Sequence, residues 1–161
     1  MSTFSHLNAQ GEANMVDVSE KSDTARSALA KGYLVVSQAV IEGIATQSVK
    51  KGDVFAVARV AGIQGAKRCA DLIPLCHPLA LSKVDINFAV DDANRRIEVT
   101  CLCKVTGKTG VEMEALTGVN VALLTLFDMC KAIDPGMRIE GVGVVDKQGG
   151  KSGHWQAGSN T

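Results

Sequence analysis

Apolar residues recur at every second position in several stretches of the chain, a spacing typical of β-strands with one buried face. The first stretch covers residues 28–36. Two more, 84–90 and 97–105, flank the polar residues 91–94, and this combination predicts a β-hairpin. A last strand is predicted over 139–145.

Between these strands, apolar residues at spacings of three and four predict helices. A short helical stretch is expected over 39–45, and Asp53 is a good N-cap for a longer helix that begins at Val54. The pattern Thr109-x-x-Glu112 is that of a capping box, and it predicts a second long helix that runs to about Ile133.

The order strand, helix, strand, strand, helix, strand predicts an α+β, ferredoxin-like βαββαβ fold, with two helices on one face of an antiparallel sheet. The 161 residues fit a single domain, 1–161. Within it, 1–24 is expected to be a loose polar N-terminal arm and 148–161 a flexible, glycine-rich tail. Because many activities use this fold, it says little about function.

Composition excludes several classes of protein. Lysine and arginine number 17 and so do aspartate and glutamate, so the chain lacks the basic character of a nucleic-acid or membrane-surface protein. Residues 1–15 hold no signal-peptide pattern, and the most apolar run, 119–130, is too short to cross a bilayer. Five cysteines without a C-x-x-C pair and three scattered histidines argue for a reduced, cytoplasmic protein with no metal site.

Two prolines, Pro74 and Pro78, bracket Leu75, Cys76 and His77 and predict a stiff loop that presents a thiol and an imidazole. The loop could be a plain connector between helix and strand. If it is functional, His77 is the better candidate for an acid, base or hydrogen-bond donor, because neighbouring side chains of an extended chain point apart and a Cys76–His77 nucleophile pair is disfavoured.

The start of the second long helix carries Lys108 between glycines, followed by Glu112, Met113 and Glu114. Free N–H groups at a helix N-terminus can hold an anion. Glu112 is interpreted as a cap residue, whereas the role of Glu114 is left open.

Asp128 lies in an otherwise apolar stretch, 122–130, with Lys131 three residues further on. This spacing predicts a partly buried pair that either stabilises the helix or moves protons. At helical rise, the 14 residues from Glu114 to Asp128 span roughly 21 Å, too far for both to grip one reacting atom. Near the C-terminus, Lys147 and Lys151 among glycines form either a solvated tail or a cationic strip that closes over phosphates.

Together these segments resemble the MoaC family, the cyclic pyranopterin monophosphate synthases of molybdenum-cofactor biosynthesis. The resemblance rests on HLNAQGEANMVDVS at 6–19, KGDVFAVARVAGIQGAKR at 51–68, DLIPLCHPLALSKV at 71–84, TGKTGVEMEALTGV at 106–119, LFDMCKA at 126–132 and KQGGKSG at 147–153. Long motifs in the same order are more specific than any single pair.

The resemblance implies a lyase that converts 3′,8-cyclo-7,8-dihydroguanosine triphosphate to cyclic pyranopterin monophosphate and pyrophosphate, in a hexamer built as a trimer of dimers with sites between subunits. By position it implies Asp128, Lys131 and Lys51 as catalytic residues. It implies as substrate-binding residues Leu75, Cys76, His77, Met113, Glu114 and Lys147. No cofactor is implied, and Mg²⁺ is the one ion that could accompany the triphosphate.

Other functions stay open on the residues alone. The main alternative is a non-catalytic, nucleotide-binding regulatory module that uses the same lysines to hold phosphate. A single-strand RNA-binding sheet is disfavoured because Phe88 is the one aromatic residue on the hairpin strands. A thiol enzyme acting through Cys76 is the remaining alternative.

Overall fold

The computed structural model of the chain describes residues 4–158. The helices and strands follow one another in the order that the sequence predicts. Two short elements, the helix Cys69–Leu72 and the strand His154–Gln156, are additional. The bounds of all the elements are β1 Thr24–Val35, α1 Gln38–Ala45, α2 Val54–Lys67, α3 Cys69–Leu72, β2 Lys83–Asp91, β3 Arg96–Gly107, α4 Glu112–Cys130, β4 Arg138–Gln148 and β5 His154–Gln156.

The strands form one antiparallel sheet in the order β2-β3-β1-β4-β5. The first four strands of this order, with α2 and α4 as the crossover helices, give the predicted α+β, ferredoxin-like fold. The helices pack on the face of β1 that carries Ala28, Ala30 and Leu34, which are at most 1% exposed. The apolar residues of the alternating pattern that predicted β1 and the hairpin therefore lie on the side of each strand that the helices cover.

The core is built around α4, the helix with the most buried side chains. Ala115, Val119, Leu123 and Leu126 are fully buried beneath the sheet and α2. The helix is longer than the apolar run 119–130, and by length and apolar composition alone it could cross a membrane. The core helix of a globular domain meets the same criteria, and 56% of its most apolar stretch is buried inside this domain.

Glycines allow α2 and α4 to approach closely. A Cβ atom at Gly62 would lie 2.9 Å from the carbonyl oxygen of Gly118, and one at Gly118 would lie 2.7 Å from Cys101 Sγ. Contacts this short would displace the neighbouring atoms. The close crossing of α2 and α4 therefore requires residues without a side chain at positions 62 and 118. The position of α4 relative to the sheet is thereby fixed.

Several boundaries differ from the sequence prediction. β1 begins at Thr24, earlier than predicted, and α4 ends at Cys130 rather than near Ile133, where a turn replaces the helix. β5, a strand of three residues, lies within the predicted tail 148–161 and pairs with β4.

The predicted N-terminal arm begins at residues 1–3, and the predicted tail finishes at 159–161. Both of these ends lie outside the described residues. Residues 4–23 hold no named strand or helix, only a bridge between Leu7 and Ala13.

Candidate functional site

The loop after α3 and the first turn of α4 meet at a cavity of about 290 Å³. Five of the six predicted substrate-binding residues line it: Leu75, Cys76, His77, Met113 and Glu114. Residues of the N-terminal segment close its other side: Ser5, His6, Val16, Val18 and Lys21. The structure therefore brings two separate sequence motifs into one pocket, here called the loop pocket.

The geometry of the loop follows from its prolines. Ile73, directly before Pro74, is extended with φ −110° and ψ 107°, as expected for a residue that precedes proline. The Cys76 N–H donates to the carbonyl oxygen of Ile73 at 3.1 Å. His77 Nε2 lies 2.7 Å from the carbonyl oxygen of Val16, so Nε2–H is the donor and the imidazole holds the N-terminal segment over the pocket.

Glu114 is the buried charged residue of the described chain, at 5% exposure. Burial raises the pKa of its carboxyl above the ordinary value of 4.5. Burial likewise raises the pKa of the Cys76 thiol, which keeps it protonated at neutral pH. The wall of the loop pocket thus carries the imidazole of His77, the carboxyl group of Glu114 with its raised pKa, and the protonated thiol of Cys76. These groups are suited to hydrogen bonding, whereas a protonated thiol is a poor nucleophile.

The predicted capping box at Thr109 is wrong. The N-cap is Val111, which makes no side-chain cap, and Glu112 occupies the first helical position rather than the third. Val111 is 1% exposed, and anchoring it in the core makes the helix start there. Glu112 is therefore free to pair with Lys147, whose Nζ lies 3.2 Å from Glu112 Oε1.

Lys147 lies beside the loop pocket rather than inside it. It shares with Glu112 a second cavity, of about 380 Å³, whose wall also includes His154 and Trp155 of β5. Because Glu112 lines both cavities, its ion pair with Lys147 forms the boundary between them.

Asp128 and its two lysines form a cluster at the far end of α4. Lys51 Nζ lies 2.9 Å from Asp128 Oδ2, and Lys131 Nζ lies 2.8 Å from Oδ1. Lys51 also donates to the backbone carbonyl of Asp128 at 3.0 Å. The three predicted catalytic residues are thus in direct contact, here called the Asp128 trio.

The prediction that Asp128 is partly buried is wrong, since 57% of its side chain is exposed. The apolar residues around it face the sheet and α2, whereas Asp128 shares the outer face of α4 with Leu124, itself 58% exposed. Hydrogen bonds from Lys131 and Lys51 lower the pKa of Asp128 to about 2. At neutral pH the trio therefore carries one carboxylate and two ammonium groups, a net positive patch.

One protomer does not bring the trio and the loop pocket together. Glu114 and Asp128 lie near opposite ends of one continuous helix, α4, with fourteen residues from one to the other. Roughly 21 Å of helix therefore separates the two sets of residues, as expected from their spacing in the sequence.

Sequence reasoning missed a third group of residues beside the loop pocket. Lys21, Arg26 and Lys151 line a cavity of about 570 Å³ together with Glu20 and the glycine-rich turn at Gly150. Arg26 Nη2 donates to the carbonyl oxygen of Lys108 at 3.3 Å, while its buried Nε has no hydrogen-bond partner among residues 4–158. Of these three cations, the sequence pattern indicated a functional role for Lys151 alone. Arg26 lies beside the alternating pattern of a strand, where a single arginine does not indicate a site.

No metal centre is visible in the part of the chain that the structure describes. Among residues 4–158 there is no group of three or more histidine, cysteine, aspartate or glutamate side chains that could hold an ion.

Comparison with known families identifies the family of the chain. The family model described as the MoaC family matches residues 15–150, which include the loop 75–77, residues 113–114, the Asp128 trio and Lys147, but not Ser5 and His6 of the loop pocket. The chain belongs to the MoaC family. MoaC proteins are a biosynthetic enzyme family of the molybdenum-cofactor pathway, so the resemblance found in the sequence motifs is confirmed.

Among solved structures, one chain from the crystal structure of a mutant of the ferredoxin protease FusC in complex with Arabidopsis ferredoxin is similar over 63% of this MoaC chain. The identity is 12% and the TM-score is 0.33. The match spans 9% of the length of that chain, and at this TM-score it carries no argument about fold or function.

Proposed function

We propose that the protein is a cyclic pyranopterin monophosphate synthase. Its substrate would be (8S)-3′,8-cyclo-7,8-dihydroguanosine 5′-triphosphate, and its products cyclic pyranopterin monophosphate and pyrophosphate, which makes it a lyase. Membership of the MoaC family supports this function. The observation that carries it is the contact of Asp128 with two lysine ammonium groups at 2.8 and 2.9 Å.

The chemistry requires what the trio offers. Opening and reclosing rings of a guanine-derived base moves several protons, which carboxylate, ammonium and imidazole groups can transfer. Asp128 is ionised throughout the neutral range, so it enters the reaction as a base or a counter-charge. Lys51 and Lys131 enter as charged donors, and binding of an anionic substrate between them would redistribute their hydrogen bonds with Asp128.

The second half of the reaction makes a cyclic phosphate. An oxygen of the sugar attacks the innermost phosphorus, the bond to the next phosphate breaks, and pyrophosphate leaves. Negative charge accumulates on the leaving phosphates and is stabilised by nearby cations. Lys147 and the cationic cavity of Lys21, Arg26 and Lys151 are the groups beside the loop pocket that we assign to this task.

The base would bind in the loop pocket. Leu75 and Met113 supply apolar contacts, while His77, Cys76 and Glu114 supply hydrogen-bonding groups. No resident cofactor is part of the proposal, and Mg²⁺ would arrive on the triphosphate itself.

The distance along α4 calls for a second subunit. A nucleotide cannot contact the loop pocket and the trio of one protomer across roughly 21 Å of helix while both act on one atom. We therefore propose sites shared between subunits, the loop pocket from one protomer and the trio from its partner, in a homo-oligomer such as a trimer of dimers. The protein would work in the cytoplasm, where its five thiols remain reduced.

The direct test supplies the cyclised dihydro-GTP to purified protein and measures pyrophosphate and pterin formation together. Wild type is expected to form both products, and Asp128→Asn to form neither while keeping its folded far-ultraviolet spectrum. Asp92→Asn makes the same chemical change on the exposed hairpin turn and should remain active. A wild-type protein that binds the nucleotide but releases no pyrophosphate would instead be a non-catalytic binding module.

Mixing variants tests the shared site. His77→Ala damages the loop pocket and Asp128→Asn damages the trio, so each alone should be inactive. After joint unfolding and refolding in equal amounts, about a quarter of the sites combine an intact pocket with an intact trio if the two come from different subunits. Sites contained within one protomer would stay inactive in the mixture, and that result would end the shared-site proposal.

A further inference from the structure

The strand β5 is short and lies at one end of the sheet. Its three residues pair with three of β4, in the register Asp146 with Gln156, Lys147 with Trp155 and Gln148 with His154. Three residue pairs supply few backbone hydrogen bonds, so the side chains that cross between the two strands weigh heavily in holding β5 in place.

The carboxylate of Asp146 gathers three side chains around it. Its Oδ2 accepts from His154 Nε2 at 2.7 Å and from Gln156 Nε2 at 3.0 Å, and its Oδ1 accepts from Gln148 Nε2 at 3.4 Å. The hydrogen bond from His154 lowers the pKa of Asp146, so the carboxylate is ionised at neutral pH and Nε2 carries the proton. These four residues, here called the Asp146 cluster, tie β5 to β4 by charge-assisted hydrogen bonds.

The carboxylate of Asp146 and the ammonium group of Lys147 lie on opposite faces of the sheet. Lys147 pairs with Ala28, whose side chain is buried beneath the helices, whereas Asp146 pairs with Leu29 on the other face. Any influence of Asp146 on a ligand at the helix side of the sheet therefore passes through the strands.

On the helix side, Lys147 and its cross-strand partner Trp155 line the cavity of about 380 Å³ that also includes Glu112. Lys147 Nζ lies 3.2 Å from Glu112 Oε1 across this cavity. Of the Asp146 cluster, His154 borders the same cavity. The position of β5 thus sets one wall of the space around Lys147.

The turn 149–153 joins β4 to β5 and carries Lys151. It lies directly against β1, since a Cβ atom at Gly149 would collide with the carbonyl oxygen of Ala25. Lys151 and Ser152 line the cationic cavity described above, and Ser152 also borders the cavity of about 380 Å³. Because the turn and β5 are continuous, holding β5 against β4 also fixes the turn.

We propose that Asp146 is a positioning residue, which holds β5 against β4 and so keeps Lys147 and the turn 149–153 arranged to bind the polyphosphate of the substrate. Naming the substrate's phosphates as the ligand rests on the proposed function, whereas the tie between the strands does not. Removing Asp146 deletes a negative charge near two lysines, and by charge alone this would strengthen the binding of an anion. Weaker binding after its removal therefore distinguishes positioning from a simple change of charge.

The position of β5 can be measured directly, because Trp155 is the single tryptophan of the chain. Quenching of its fluorescence by acrylamide reports how exposed the indole is. Asp146→Ala should raise the quenching constant while the far-ultraviolet spectrum stays that of wild type. Asp146→Asn keeps a carbonyl oxygen that accepts from His154, so it should stay close to wild type. If Asp146→Ala does not fold, His154→Ala removes the 2.7 Å hydrogen bond and takes its place. An unchanged quenching constant in the folded alanine variant overturns the proposal.

Binding of inorganic triphosphate tests the consequence for the site. Isothermal titration calorimetry at one salt concentration measures this affinity without turnover. Asp146→Ala should bind about fivefold or more weakly because its lysines are misplaced, and Asp146→Asn should stay within about twofold of wild type. Asp85→Ala is the matched control, since it removes an exposed carboxylate from β2 at the opposite edge of the sheet, and it should bind no more weakly than wild type. Equal or tighter binding by Asp146→Ala overturns the proposal.

These results are separable from the test of the synthase function. A wild-type protein that binds triphosphate but forms no pyrophosphate from the cyclised dihydro-GTP refutes the synthase function, and the comparison of the Asp146 variants still decides the positioning role. A wild-type protein that does not bind triphosphate overturns the positioning proposal, because it has no phosphate site for β5 to arrange.

Discussion

Replacing Gly62 by alanine is expected to destabilise the protein by forcing α2 away from α4. The added Cβ would lie 2.9 Å from the backbone carbonyl oxygen of Gly118 and would also collide with the Cδ1 atom of Ile86. A backbone oxygen cannot rotate away as a side chain can, so relief requires the helices to separate. Overpacking of this kind costs about 1–3 kcal/mol.

The alanine also brings a gain, because glycine inside a helix is about 1 kcal/mol less favourable than alanine. The clash with a backbone atom puts the site at the upper end of the overpacking range, so we expect a net loss of about 1–2 kcal/mol. For a chain of this length that corresponds to a fall in Tm of about 2–8 °C.

Thermal unfolding followed by circular dichroism, at one fixed protein concentration, measures this effect. Gly143→Ala is the matched control, because a Cβ there meets no atom within 4 Å, and its stability should change by no more than about 0.5 kcal/mol. A Gly62→Ala protein as stable as wild type, or more stable, would show that the helix crossing is not held by close backbone approach.

Two further predictions concern charge. Lys51→Ala should raise the pKa of Asp128 from about 2 toward its ordinary value of 3.8, because one of its two ammonium partners is lost, and a carboxyl NMR titration measures it. Since the folded-state pKa is lowered, the stabilisation by this carboxylate is present above about pH 4 and is lost as pH falls toward 2. Glu114→Gln should stabilise the fold more at pH 8 than at pH 4. Because burial raises the pKa of Glu114, the wild-type side chain lowers the free energy of unfolding at a pH above this pKa, where it is ionised, and does not do so at a pH below it, where it is neutral. Equal shifts in Tm at both pH values would contradict the burial of Glu114 as the cause.

The spacing of apolar residues, every second position in strands and every third or fourth in helices, predicted most of the fold. It did so because the helices cover one face of the sheet, so each element has one buried side. The alternation in β1 and in the hairpin matches the faces that α2 and α4 cover, and Asp53 caps α2 through a hydrogen bond from the Ala56 N–H at 3.0 Å. β5 was missed because it has three residues, and pairing with β4 rather than its own pattern makes it a strand.

The errors at the candidate site share one physical cause, which is that local composition does not report tertiary position. Apolar neighbours suggested burial for Asp128, but those neighbours turn toward the sheet and leave it in solvent. Thr109 and Glu112 have the spacing of a capping box, yet the burial of Val111 sets the start of α4. The meeting of the loop 75–77 with residues 113–114 depends on the βαββαβ topology, which spacing alone does not encode, and the motif resemblance supplied it.

Helix α4 is uninterrupted and carries Glu114 near one end and Asp128 near the other. This arrangement limits the insertions and deletions that the chain can accept within α4. Each inserted or deleted residue would turn one end relative to the other by about 100° and shift it by about 1.5 Å. Even seven added residues, which nearly restore the phase, would displace the trio by about 10 Å along the axis. If both ends of α4 serve the reaction, we therefore expect its length to be fixed, with insertions and deletions tolerated in the loops rather than within this helix.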